Sequence, residues 1–93
     1  SDEPDAQEVL SELFVGSDRL LHDPSDKTAT VRFDDAAGLV ADMAVPFGFD
    51  EADWGAIAEL TATLREKLED ADASDDDVVE AATELRTHLR PLV

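Results

Sequence analysis

The fold is decided by residues 50–89, which read DEADWGAIAELTATLREKLEDADASDDDVVEAATELRTHL. Asp50 is suited to cap a helix that we predict from Glu51 to about Glu69, because its carboxylate can accept from the free N–H groups of the first turn. The large apolar residues of this helix recur at steps of three and four, at Trp54, Ile57, Leu60, Leu64 and Leu68. Such a stripe is buried against a partner helix or sheet.

The second half of the same stretch predicts that partner helix. Residues 70–73 interrupt the first pattern, and Ser74 with Asp77 three residues later has the spacing of a capping box. A further helix then runs through Leu89, with Val78, Val79, Ala82, Leu85 and Leu89 as its apolar face. Because the connection is short, we predict that the two helices form an antiparallel hairpin.

Two more helices are predicted upstream of the hairpin. The first spans Asp5 to Leu21, with Pro4 at its start and Gly16 as a point where it could break. Its apolar side is formed by Leu10, Leu13, Phe14, Leu20 and Leu21. The second runs from Ala36 to Val45, begins at Asp34 and Asp35, and buries Leu39, Val40 and Met43.

Residues 28–33 allow a different reading, because Ala29, Val31 and Phe33 alternate with polar residues as in a strand. A lone strand needs partners, which the same strand of a second subunit could supply; otherwise this segment leads into the following helix.

A chain of 93 residues buries only about 60 to 65 per cent of its unfolded surface. We therefore predict one all-α domain over residues 1–93, a small bundle of about four helices with a C-terminal antiparallel hairpin. The alternative is an α+β fold with one short strand near residues 28–33.

The charge of the chain is strongly negative, with 24 Asp and Glu against 7 Lys and Arg and a net charge of −17. Asp outnumbers Glu, Lys occurs only at Lys27 and Lys67, Ala is abundant, and Asn and Tyr are absent. This composition resembles that of cytoplasmic proteins of extreme halophiles, above all haloarchaea, which keep molar salt inside the cell. The resemblance implies a cytoplasmic protein adapted to salt, because at about 1 M salt the Debye length is only roughly 3 Å and surface repulsion is screened.

Several classes of function are disfavoured by composition. Without cysteine, the chain offers no disulfide, thiolate metal site or thiol nucleophile. Its apolar runs are far shorter than the roughly 20 residues that cross a bilayer, and residues 1–5 are acidic where a secretory signal is basic. We therefore expect no membrane partner, and the negative charge also disfavours binding to a phosphate backbone.

The residues that could carry chemistry favour ordinary structural roles. Asp70, Asp72 and Ser74 occupy the first, third and fifth positions of a calcium loop, but Asp75 and Ala81 stand where that loop requires Gly and Glu. A solvated turn that leads into the next helix accounts for the same residues. No nucleophile elbow, phosphate-binding glycine loop or zinc-protease motif is present. We expect no enzyme activity, cofactor or metal.

The two histidines, His22 and His88, lie near predicted helix ends, where imidazolium groups offset the C-terminal carbonyls. With Arg65, Lys67, Arg86 and Arg90, His88 could instead form a small basic docking surface. Such a surface would be too small to indicate nucleic acid.

The remaining candidates are the apolar residues around the connector Val45-Pro46-Phe47-Gly48-Phe49. Phe47, Phe49 and Trp54 are the predicted interaction residues, although the two connector rings could instead plug the end of the core. We expect a non-catalytic protein-interaction or regulatory module that forms a homodimer or binds another protein. Two alternatives remain: an acidic mimic of nucleic acid that occupies a basic site, and a winged-helix-like DNA-binding regulator with a small basic helix.

Overall fold

Four α-helices and a terminal 3-10 turn form the structure of residues 5–93, the part of the chain that the computed structural model describes. The helices are α1 (Ala6–His22), α2 (Lys27–Asp42), α3 (Glu51–Glu69) and α4 (Asp75–Leu89), followed by the turn Arg90–Leu92. No strand occurs between residues 5 and 93. The predicted all-α bundle of four helices is confirmed, whereas the prediction for Pro4 lies outside the described residues.

Each helix packs mainly against two neighbours, in the cyclic order α1, α2, α3, α4. Because short connections join consecutive helices, neighbouring helices run antiparallel. Charged pairs cross three of the four seams: Glu12 with Arg32 joins α1 to α2, Asp34 with Arg65 joins α2 to α3, and Asp18 with Arg86 joins α1 to α4. The α3–α4 seam is the predicted hairpin. The starts of α1 and α3 therefore share one end of the bundle with the last turns of α2 and α4, and we call this the connector end because residues 43–50 lie there.

All four helices begin at a capping side chain. The carboxylates of Asp5, Asp26 and Asp50 accept hydrogen bonds from the backbone N–H groups of the first turns of α1, α2 and α3. Ser74 and Asp77 form the reciprocal capping box at the start of α4. The caps predicted at Asp50 and Ser74 are confirmed, and they fix the helix starts because each satisfies an N–H group that would otherwise lack a partner.

The alternative strand at residues 28–33 is wrong, and so is the helix start predicted at Asp34 and Asp35. The whole segment is part of α2, which begins at Lys27 because the Asp26 carboxylate accepts from the Ala29 N–H at 3.1 Å. Ala29 and Phe33 are buried four residues apart, but Val31 between them is 60% exposed. A strand would have placed all three on one face, so the burial follows a helix.

Gly16 does not interrupt α1, which is continuous from Ala6 to His22. Gly16 is buried at the seam with α2, where a Cβ added to it would lie 3.1 Å from Cβ of Phe33. The glycine therefore serves close approach of the two helices, and its lower helix propensity is offset by that packing.

The core runs the length of the bundle and contains two buried polar side chains. Its fully buried large residues are Leu10, Leu13, Leu20, Phe33, Ile57, Leu64, Leu85 and Leu89. The Ser17 hydroxyl donates to the Phe14 carbonyl at 3.0 Å, whereas Thr61 Oγ1 has no hydrogen-bond partner among the described residues. The sequence pattern predicts Leu60 in the buried stripe of α3. In the structure Thr61 is buried there instead, and Leu60 is only partly buried.

Candidate functional site

The connector between α2 and α3 carries the most exposed aromatic side chain of the described chain. Phe47 is fully exposed and Val45 is exposed beside it. Pro46 and Phe49 close a turn through a 3.1 Å bond from the Phe49 N–H to the Pro46 carbonyl, and Gly48 within it has a φ of +91°. Only glycine adopts that conformation readily, so the local backbone holds Phe47 away from the core.

An open groove of about 470 Å³ lies beside Phe47. Its walls come from the last turn of α2, the connector and the first residue of α1: Asp42, Met43, Ala44, Val45, Pro46, Phe47 and Ala6. We call the exposed apolar part of this wall, Met43 to Phe47, the connector surface. An exposed aromatic ring beside a groove is a frequent feature of binding surfaces.

Phe49 and Trp54 differ from Phe47 in their surroundings. Their rings meet edge to face with centroids 5.5 Å apart and planes at 67°, the favoured geometry for an aromatic pair. Trp54 is only 3% exposed, and Phe49 packs against the core from its edge. These two rings close the connector end of the bundle, so of the three predicted interaction residues Phe47 is the one that is fully exposed.

A second concavity, which we call the acidic groove, follows the seam between α1 and α2 and has a volume of about 340 Å³. Its apolar floor consists of Val9, Ala36 and Leu39, and Leu39 is 43% exposed. The rim carries four carboxylates and one guanidinium, those of Asp5, Glu8, Glu12, Asp35 and Arg32. The sequence pattern does not indicate this groove, because it assigns Leu39 to the buried stripe and the seam depends on how two helices meet.

The arginines do not assemble into the basic docking surface considered from the sequence. Arg65 Nε donates to Asp34 at 2.8 Å across the α2–α3 seam. Arg86 Nε donates to Asp18 at 2.8 Å across the α1–α4 seam, and its guanidinium lies 5.2 Å from the centre of the Phe14 ring. The two side chains thus point to opposite sides of the α3–α4 hairpin and are engaged in ion pairs.

The histidines are exposed and bonded within their own helices. The Nδ1–H group of His22 donates to the Asp18 carbonyl at 2.8 Å, and that of His88 to the Glu84 carbonyl at 3.2 Å. Both contacts lie in the last turn of a helix, where the unpaired carbonyls carry partial negative charge.

Residues 70–77 are engaged in turn and cap contacts. Asp70 Oδ1 accepts from the Asp72 N–H at 2.9 Å, while Ser74 and Asp77 bond each other at the start of α4. Within residues 5–93 no three His, Asp or Glu side chains are grouped so that they could hold a metal ion. The described helices also include none that combines the length and the apolarity needed to cross a membrane.

Comparison with protein-family models, with curated proteins and with solved structures found no match for this chain. Its function must therefore be argued from the connector surface, the acidic groove and the distribution of charge.

Proposed function

We propose that this chain is a non-catalytic protein-interaction or regulatory module of a halophilic archaeal cytoplasm, and that it forms a homodimer through the connector surface. The observation that supports the proposal best is Phe47, whose ring is fully exposed beside an open groove of mixed polar and apolar lining. Exposing one phenylalanine costs about 2 kcal/mol relative to burying it. A partner that covers the ring recovers that free energy.

A second copy is the simplest such partner. In a two-fold arrangement the same surface of each copy meets its equivalent, so each Phe47 ring would face the groove beside the other. A small domain also enlarges a thin core in this way. With a net charge of −17 on each copy, association is opposed in dilute buffer and allowed at molar salt, where screening limits repulsion to roughly 3 Å.

The absence of catalysis is part of the proposal. General acid–base catalysis relies on a titratable group held in a desolvated pocket. None of the Asp, Glu or His side chains in residues 5–93 is buried, and both concavities are open to solvent. A binding role requires only the exposed apolar contacts that the connector surface offers.

The test is the molar mass measured by size-exclusion chromatography with light scattering in about 2 M KCl, a salt at which surface charges are screened. The wild type is expected to elute as a dimer, and Phe47→Ser as a monomer. Losing two buried rings per dimer, at about 2 kcal/mol each, raises the dimer Kd about a thousand-fold.

Val31→Ser is the matched control, because Val31 is also an exposed apolar residue but lies at the opposite end of α2. It is expected to remain dimeric, and circular dichroism should show equal helix content in all three proteins. A wild type that stays monomeric at high concentration, or a Phe47→Ser variant that still dimerises, would contradict the proposal.

A further inference from the structure

The acidic groove between α1 and α2 combines an apolar floor with a negatively charged rim. Leu39 is 43% exposed above Val9 and Ala36, which are nearly covered. Among the described residues, one cation lines the groove. This is Arg32, which is bonded through Nε and Nη2 to both carboxylate oxygens of Glu12, at 2.9 to 3.2 Å. Its charge is therefore balanced within the pair.

The other carboxylates of the rim form no ion pair with a cation of the described residues. Glu8 and Asp35 are exposed on the two walls and form no ion pair within the described range of residues. Asp5 caps α1 by accepting from the Gln7 N–H, and forms no ion pair with a described residue. The groove thus presents a small apolar contact flanked on both sides by negative charge, and a complementary ligand must be apolar in the middle and basic at its edges.

The length of the groove sets the size of that ligand. Its α1 wall extends from Asp5 to Glu12 and its α2 wall from Arg32 to Leu39. At 1.5 Å per residue, seven helical steps span about 10 Å, or two turns. Two antiparallel helices with a small residue such as Ala36 between them form a seat for a third helix, which inserts apolar side chains spaced three or four apart.

We propose that the acidic groove binds a basic amphipathic helix of another protein, with two apolar anchors on Leu39 and Ala36 and Lys or Arg residues beside Glu8 and Asp35. The inference rests on the proposed interaction function, because it names a class of partner for it. In molar salt the ion pairs act only at contact distance. The apolar anchors then provide affinity, while the rim selects against acidic helices through like-charge contacts.

A second copy of this chain does not fit the groove. Arg32, Arg65 and Arg86 are already paired with carboxylates. The other cations are spread one to an element: Arg19 on α1, Lys27 on α2, Lys67 on α3 and Arg90 on the terminal turn. No helix in the described part of the chain therefore presents a row of basic residues, and the occupant is a different protein.

The probe is a synthetic helical peptide of about four turns, long enough to be stable when bound, with Leu spaced three and four apart and Lys elsewhere. A peptide with Glu in place of every Lys is its control. Binding is followed in about 1 M KCl, where long-range attraction is screened, by amide chemical shifts of the labelled protein. The Lys peptide is expected to shift Glu8, Val9, Ala36 and Leu39, and the Glu peptide to leave the spectrum unchanged.

Two sets of variants separate the anchors from the rim. Leu39→Ser is expected to weaken peptide binding about ten-fold, while Val31→Ser on the same helix leaves it unchanged. Glu8→Gln combined with Asp35→Asn should weaken it about five-fold. Glu59→Gln combined with Glu66→Gln removes the same charge from the exposed face of α3 and should leave the affinity within two-fold. The charge variants keep the proposal testable should Leu39→Ser fail to fold.

Three results would overturn the inference. The first is that the Lys peptide does not bind. The second is that chemical shifts change over all acidic faces and the two charge variants lose peptide affinity equally. The third is that the shift changes are confined to residues 43–47. The last result would place the peptide on the connector surface instead. The proposed homodimer is judged separately, by molar mass, and Phe47→Ser is expected to bind the peptide as the wild type does.

Discussion

Replacing Gly16 by alanine tests the packing of α1 against α2 directly. The added methyl carbon would lie 3.1 Å from Phe33 Cβ and 3.4 Å from Phe33 Cα. These atoms belong to the backbone of α2 or are attached to it, and Phe33 is fully buried. The contact can therefore be relieved only by moving one helix away from the other.

The expected magnitude is a balance between helix propensity and overpacking. Ala is favoured over Gly in a helix interior by about 1 kcal/mol, while an added methyl group in a packed core costs about 2 kcal/mol. Gly16→Ala should thus lower the free energy of unfolding by about 1 kcal/mol, which corresponds to about 5 °C in Tm for a domain of this size. Gly55→Ala is the control, because a Cβ at Gly55 on α3 meets nothing within 4 Å. It should raise stability by about 1 kcal/mol.

The assay is urea and thermal unfolding of both variants and the wild type, followed by circular dichroism in about 2 M KCl to screen the surface charge. The decisive quantity is the difference in the free energy of unfolding between the two variants. Both gain the same helix propensity, so this difference isolates the contact with Phe33. A difference of about 2 kcal/mol is expected. If Gly16→Ala stabilises the protein as much as Gly55→Ala does, the close approach of α1 and α2 is refuted.

Two further predictions concern the surface charge and the one unpaired buried hydroxyl among the described residues. Helix content measured by circular dichroism should rise when KCl is increased from dilute to molar concentration, because salt screens the repulsion within a chain of net charge −17. Full helix content in dilute buffer would contradict the salt-adaptation hypothesis. Thr61→Val should raise the free energy of unfolding by about 1 kcal/mol, since it removes a buried Oγ1 that lacks a partner. Thr63→Val is its control, because Thr63 is exposed and its hydroxyl donates to the Glu59 carbonyl; it should change stability by no more than about 0.5 kcal/mol. Equal effects of the two substitutions would show that Thr61 is not unpaired in solution.

The apolar pattern of α2 could not distinguish a helix from a strand at residues 28–33. Ala29 and Phe33 are four residues apart, a spacing that fits one face of a strand as well as one face of a helix. Val31 decides between the two, and its exposure depends on where α1 and α3 pack. Asp26 was a local indication of a helix start, because it caps α2 just before Lys27. The apolar pattern alone does not take this cap into account.

The two connector rings show a similar limit. The sequence Val45-Pro46-Phe47-Gly48-Phe49 gives both phenylalanines the same apolar character. The turn at Gly48 sends Phe49 towards Trp54 and leaves Phe47 in solvent. The predicted interaction role of Phe47 stays a prediction, but its exposure is now a structural fact on which the proposed dimer rests.

The number of helices, the hairpin of α3 and α4, and two of the four caps follow from the sequence pattern alone. These features depend on residues within one turn of each other, where helix periodicity and capping act. Three other features arise only when the helices pack together: the contact at Gly16, the exposure of Phe47, and the acidic groove between α1 and α2. The groove depends on which faces of α1 and α2 meet, and no local pattern specifies that. The contact between Glu12 and Arg32, twenty residues apart in the chain, is part of this pairing of faces.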